Sequence, residues 1–185
     1  MTLTETPICN FGEKAKSFDL LSTTNKKISL NDIKGENGTL IMFICNHCPY
    51  VKAVVKNIAE DTKYLETLGI KSVAIMSNDV KNYPEDSFEN MVSFSKLHNF
   101  SFPYLIDETL KIAKEYGAVC TPDFFGYNKN FELQYRGRIR ELKNLKPVQN
   151  GDSDLLLAMK QIAASGTGPK NQIPSMGCNI KWFNN

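Results

Sequence analysis

Cys45 and Cys48 bracket the segment CNHCP at 45–49, and two thiols at this spacing can take up or give out an electron pair by closing and opening a disulfide. Two intervening residues let the sulfurs approach bonding distance where the chain turns into the first turn of a helix. The free backbone N–H groups and the positive end of the helix dipole favour an anion there, so Cys45 is expected to ionise more readily than an ordinary thiol. The thiolate is the attacking species, which makes Cys45 the expected nucleophile. Cys48, one turn further in and better shielded, is then the thiol that resolves the mixed disulfide. His47 lies between them and, when protonated, adds a positive charge beside the thiolate. Metal binding is the competing chemistry, with Cys45, His47 and Cys48 as donors and Cys120 or Cys178 as supplements. Zinc takes four ligands in a tetrahedron, however, and no second CxxC follows. The pair is therefore expected to act in redox chemistry, with no metal and no organic cofactor, because the electrons reside in the cysteines.

Such a pair needs a strand before it and a helix after it, and the pattern supplies both. Residues 39–44 are a continuous run of strand formers, as suits a strand buried on both faces. Val51, Val54, Val55, Ile58, Thr62 and Leu65 then recur at helical spacing, with lysines and Glu60 on the other side. Gly69 ends this helix, and 70–76 reads as a second buried strand. Pro84-Glu85-Asp86 is expected to open a helix carrying Phe88, Met91 and Val92. A strand at 103–106, a helix at 109–116 stopped by Gly117, and strands at 124–127 and 133–135 follow. Asp152 or Asp154 is expected to cap a last helix running to Gly166. Before all of this, 18–21 and 28–30 suggest a short hairpin. The order predicts an α/β fold with a central mixed sheet and helices on both faces.

Composition narrows the function classes. The 185 residues suit a single domain, with a core at about 18–165 and a C-terminal tail at 166–185 that has no clear period. The 22 basic and 20 acidic residues are scattered, so no electrostatic footprint for nucleic acid or anionic lipid is visible. The longest apolar run, 40–45, is too short to cross a bilayer. No basic start followed by an apolar stretch marks a secretory signal, and five cysteines are too sparse for a disulfide scaffold. A cytoplasmic protein with a few special thiols is the expectation.

Outside the CxxC, Thr121-Pro122 stands between a helix and a strand, where an X-Pro bond can be cis or trans. Cys120 and Cys178 are each open to two readings, accessory redox thiol or small buried packing residue. If the tail folds back, Trp182 is its natural anchor. Arg136 and Arg138, beside a turn, are expected to be solvent-facing charges.

FICNHCPYVKAV, YPEDSFENM, FPYLIDE, YGAVCTPDFF, YRGRI and GCNIKW, in that order, resemble a thioredoxin-like subfamily of the redoxin group, which also contains the AhpC/TSA antioxidant proteins. The resemblance spans about Phe18 to Trp182, and CNHCPY and CTPDFF are its most specific pieces. It implies a thioredoxin-like fold in which Cys45 and Cys48 are the redox pair and Pro122 is a cis-proline facing them. It also implies thiol–disulfide oxidoreductase activity, with protein or small-molecule thiols and disulfides, and a reductase, as partners. A thiol-dependent peroxidase, in which peroxide oxidises one cysteine to a sulfenic acid and Arg136 or Arg138 orients the peroxide, is the alternative. Three departures stand out. Ile44 replaces the tryptophan before the first cysteine, and no acidic residue stands a few positions upstream, where Thr39 lies six before Cys45. No threonine precedes either cysteine by three, as a peroxidatic site would require.

Overall fold

In the computed structural model, which describes residues 2–183, the first half of the chain forms β1 (Leu3–Glu5), β2 (Asp19–Ser22), β3 (Lys27–Ser29), β4 (Gly38–Phe43), α1 (Pro49–Thr67), β5 (Ile70–Met76) and α2 (Phe88–Leu97). β6 (Tyr104–Ile106), α3 (Lys111–Tyr116), β7 (Cys120–Thr121), β8 (Asp123–Tyr127), β9 (Leu133–Arg136), β10 (Leu142–Lys143), β11 (Lys146–Pro147), α4 (Asp154–Ser165) and β12 (Met176–Asn179) follow. Seven strands make one mixed sheet in the order β3-β2-β6-β5-β4-β8-β9. Its centre, β6, β5 and β4, is parallel, and β4 pairs antiparallel with β8.

The apolar run predicted from sequence is β4, and every residue of it is buried. Alternation splits its side chains between two cores. Leu40 and Met42 join the residues of α1, α2 and α4, whereas Ile41 and Phe43 pack with Ile112, Ala113 and Tyr116 of α3. Helices thus cover both faces, as the strand–helix alternation predicts.

Three local expectations are corrected. Pro84–Asp86 is a separate 3-10 turn, and α2 begins only after Ser87, whose side chain accepts from the Asn90 N–H. The last helix is capped by Ser153, whose hydroxyl accepts from the Leu156 N–H at 2.9 Å, and not by either aspartate. The tail is not featureless: β12 lies between β1 and β7 in a separate three-stranded sheet, both pairings antiparallel. Such short strands carry too few alternations to be read from sequence. Trp182 packs partly buried against the α3 core, with the Lys114 ammonium 5.6 Å from its ring centre.

Arg136 also departs from expectation, because it is 8% exposed. Its guanidinium grips Asp123 through Nε–Oδ1 at 3.4 Å and Nη2–Oδ2 at 2.9 Å, donates to the Gly117 carbonyl, and lies over the Phe125 ring. Arg138 is half-buried and paired with Asp154 at 2.6 Å. A strand end packed inside the domain has no room for an unpaired cation, so the charge is matched where it lies. Asp123→Ala leaves the guanidinium buried without its partner and should cost about 3–5 kcal/mol in a chemical denaturation measurement, whereas replacing both residues with leucine should recover most of that loss.

Candidate functional site

The loop from β4 to α1 is fixed at its far end by helix geometry. Cys48 is the N-cap of α1 with an extended backbone, and Pro49 occupies the first helical turn, where its missing N–H costs nothing. On the facing side, the Thr121–Pro122 peptide is cis, as the resemblance implies. Thr121 touches both sulfurs: its Oγ1 is 3.4 Å from Cys45 Sγ, and its carbonyl oxygen is 3.2 Å from Cys48 Sγ. Cys45, Cys48 and Pro122 are therefore brought together by two segments that are distant in sequence.

Shielding was expected for Cys48 only, yet Cys45 is 1% and Cys48 0% exposed. The ionisation also differs from expectation. Cys48 is pulled down to about 5, first by the hydrogen bond from the Cys45 thiol and then, against burial, by Cys178 and the Val51 N–H. Cys45 is held well above its ordinary value because it donates that hydrogen bond, is buried and faces the Asp86 carboxylate. It is Cys48, not Cys45, that stands at the open end of α1. The two sulfurs behave as one unit that loses a first proton easily and keeps the second. The remaining proton has a second resting place, on Cys48 with the Thr121 carbonyl as acceptor, which leaves Cys45 facing the Thr121 hydroxyl as donor.

His47 is tied to a residue that sequence reasoning did not select. Its Nδ1 is 2.7 Å from Oδ2 of Asp86, whose side chain is fully buried. Asp86 Oδ1 also accepts from the N–H groups of Asn46 and His47, and Oδ2 from Asn78 Nδ2. Burial alone would raise Asp86, but hydrogen bonds from His47 and Asn78 hold it below its ordinary value. His47 is raised in turn, mainly by its bond to Asp86 and against burial. Its ring also stacks on Tyr83 at 5.7 Å. Asn46 completes the clamp, accepting from the Tyr104 hydroxyl at 3.0 Å and donating to the Glu85 carbonyl. The available signal was an acidic residue inside YPEDSFENM, read there as a helix start.

The accessory thiols part company. Cys120 is buried with its Sγ directed at the Pro122 carbonyl, 3.8 Å away. Cys178 stands opposite Thr121 in the β12–β7 ladder and hydrogen-bonds the Cys48 sulfur. Among the described residues, the donors that could hold a metal ion are Cys45, His47 and Asp86, their ligand atoms within 4.8 Å of one another, and not the competing set with Cys48. In this arrangement Asp86 Oδ2 is paired directly with His47 Nδ1 at 2.7 Å, and the pair holds the loop. A cleft of about 430 Å³ opens beside Pro122, lined by Tyr50, Arg138, Ile139, Ile173 and Met176 among others.

The profile of the AhpC/TSA family matches residues 11–142. No curated protein matches the chain. An uncharacterized conserved protein from Geobacillus kaustophilus is similar in structure, with 36% identity, a TM-score of 0.91, and coverage of 100% of this chain and 98% of that one. A hypothetical protein from Sinorhizobium meliloti 1021 shares 32% identity with a TM-score of 0.90 over 98% of this chain and 100% of its own. The thioredoxin domain of a thiol-disulfide oxidoreductase from Bacteroides vulgatus, 14% identical with a TM-score of 0.58, covers 72% of this chain and 89% of that chain and shows the thioredoxin-like fold.

The Asp86–His47 pair has a defined pH window. A raised histidine pKa contributes stability that is complete below the ordinary value of 6.5 and lost as pH rises through the raised one. A lowered carboxylate contributes above its ordinary 3.8 and fails as pH falls through the lowered value. An NMR titration of the imidazole protons should therefore give a midpoint above 6.5 for His47, falling to 6.5 or lower in Asp86→Asn, where burial acts without its opposing charge.

Proposed function

Because the chain belongs to the AhpC/TSA family, we propose that it is a thiol–disulfide oxidoreductase that stores an electron pair in Cys45 and Cys48. The observation that carries this reading is the placement of Thr121, whose hydroxyl faces one sulfur and whose carbonyl faces the other. Moving the shared proton from Cys45 to Cys48 turns a resting pair into an attacking one. Cys45 thiolate attacks one sulfur of a substrate disulfide and displaces the other half as a thiolate. The displaced thiolate takes the Cys48 proton, and Cys48 then attacks Cys45 Sγ, releasing the second thiolate and closing the Cys45–Cys48 disulfide. Two electrons pass from the pair to the substrate, and two reductant thiols restore the pair by the reverse steps, leaving as their own disulfide.

His47 acts on the energy of the reduced form. A cation held by Asp86 beside the sulfurs stabilises the thiolate, which the disulfide lacks, and so makes the disulfide more oxidising. Pro122 and the adjoining cleft form the surface on which the substrate disulfide lies, with protein or small-molecule thiols and disulfides as partners. The peroxidase alternative needs an arginine free to orient peroxide; Arg136 is engaged by Asp123 and the Gly117 carbonyl, and Arg138 by Asp154.

Insulin reduction with a thiol donor tests the assignment. Cys45→Ser should abolish it, and Cys48→Ser should leave a stable mixed disulfide through Cys45 that survives gel filtration. Trapping through Cys48 in the Cys45→Ser protein alone would reverse the two roles. Equilibration with glutathione adds a second check. His47→Ala should shift the pair downward by about 30 mV, since one pKa unit is about 1.4 kcal/mol and the couple carries two electrons.

A further inference from the structure

Three sulfurs, not two, meet at the start of α1. Cys48 is the middle one, receiving hydrogen bonds from the thiols of Cys45 and of Cys178. All three belong to one buried cluster, with Cys178 3% exposed. The backbone places Cys178 there with little latitude. Its register partner is Thr121, the residue that contacts both Cys45 and Cys48. Next to it, a Cβ at Gly177 would run into the Thr121 carbonyl and come within 3.2 Å of Pro122 Cδ, so only glycine lets β12 lie this close. Ser175 adds a hydroxyl bond to the Pro122 carbonyl at 2.7 Å. The outer edge of β7, which an extended chain could otherwise join by backbone pairing, is taken by the protein's own strand, with a cysteine at the position nearest the pair. Cys120, its neighbour on the ladder, is directed to the Pro122 carbonyl and does not join this cluster.

We propose that Cys178 is a third redox thiol that exchanges with Cys48, passing the Cys45–Cys48 disulfide on to a Cys48–Cys178 disulfide. This rests on the dithiol reading above, since the Cys45–Cys48 disulfide is what it consumes. Cys178 gives up its proton, and its sulfur attacks Cys48 Sγ. The Cys45–Cys48 bond breaks, Cys45 leaves with the electron pair of that bond, and the proton from Cys178 ends on Cys45. No outside oxidant or reductant enters the exchange. Its products are a reduced Cys45, ready for a second substrate disulfide, and a covalent tie between β12 and the start of α1.

Mapping of disulfides after oxidation with glutathione disulfide, acid quench, alkylation and digestion tests the exchange. The wild-type protein, titrated through glutathione redox buffers, should yield both the Cys45–Cys48 and the Cys48–Cys178 linked peptides. Cys45→Ser, which deprives Cys48 of its first partner, should yield Cys48–Cys178 as its main disulfide. Wild-type protein containing Cys45–Cys48 alone, with Cys178 fully alkylated, would overturn the third-thiol role while leaving the dithiol reading standing. A folded Cys45→Ser protein that carries only glutathione on Cys48 would do the same. Wild-type protein that forms neither bond would remove the dithiol reading and the exchange with it.

Discussion

A carboxylate removed from water stays ionised only if the protein replaces its hydration, and Asp86 is fully buried. Four N–H donors meet it, two from the backbone of the CxxC loop and one each from the side chains of His47 and Asn78. Satisfying this one group fixes the loop, the imidazole and the 3-10 turn Pro84–Asp86 relative to each other. The chain of bonds does not end there. The Asn78 side-chain oxygen accepts from the Lys181 N–H, and the Asp79 N–H donates to the Lys181 carbonyl, which secures the segment after β12. Removing one partner from a buried charge is far more costly than never having buried it, so these bonds stand or fall together.

The same carboxylate sets the electrostatics of the sulfurs in opposite directions. Through space its negative charge raises Cys45, while through His47 it keeps a cation at the site. The helix start adds a favourable potential at Cys48, which is the residue that caps it. The outcome is a pair in which a single proton is shared and its position is biased by Thr121. Reactivity then depends on where that proton rests and on access to two sulfurs that the surrounding chain covers.

Much of the framework could be read from residue pattern because its elements are long and apolar. The residues of β4, α1 and β5 announce themselves through continuous or 3.6-period hydrophobicity, and the CxxC falls where that pattern changes. Cys45, His47, Cys48 and Pro122, named from two separate segments of the sequence, lie near one another in the structure. Asp86 was hidden because an acidic residue after a proline is also what a helix N-terminus looks like, and only the fold decides which role applies. Arg136 was misjudged because its ion-pair partner, Asp123, is thirteen positions away on the neighbouring strand. β1, β7 and β12 were missed because two to four residues of strand have no period, and β1 and β12 pair across almost the whole length of the sequence.

That last pairing gives the molecule a schedule of assembly. Among the described residues β1 pairs only with β12, and β12 comes last in chain order. During synthesis from the N-terminus, the central sheet and α1 are complete before residues 176–179 exist. Until those four residues are added, the chain holds both cysteines of the CxxC but not the strand that lies beside them in the finished fold. Closure of the site by β12 is thus the last contact that synthesis makes available.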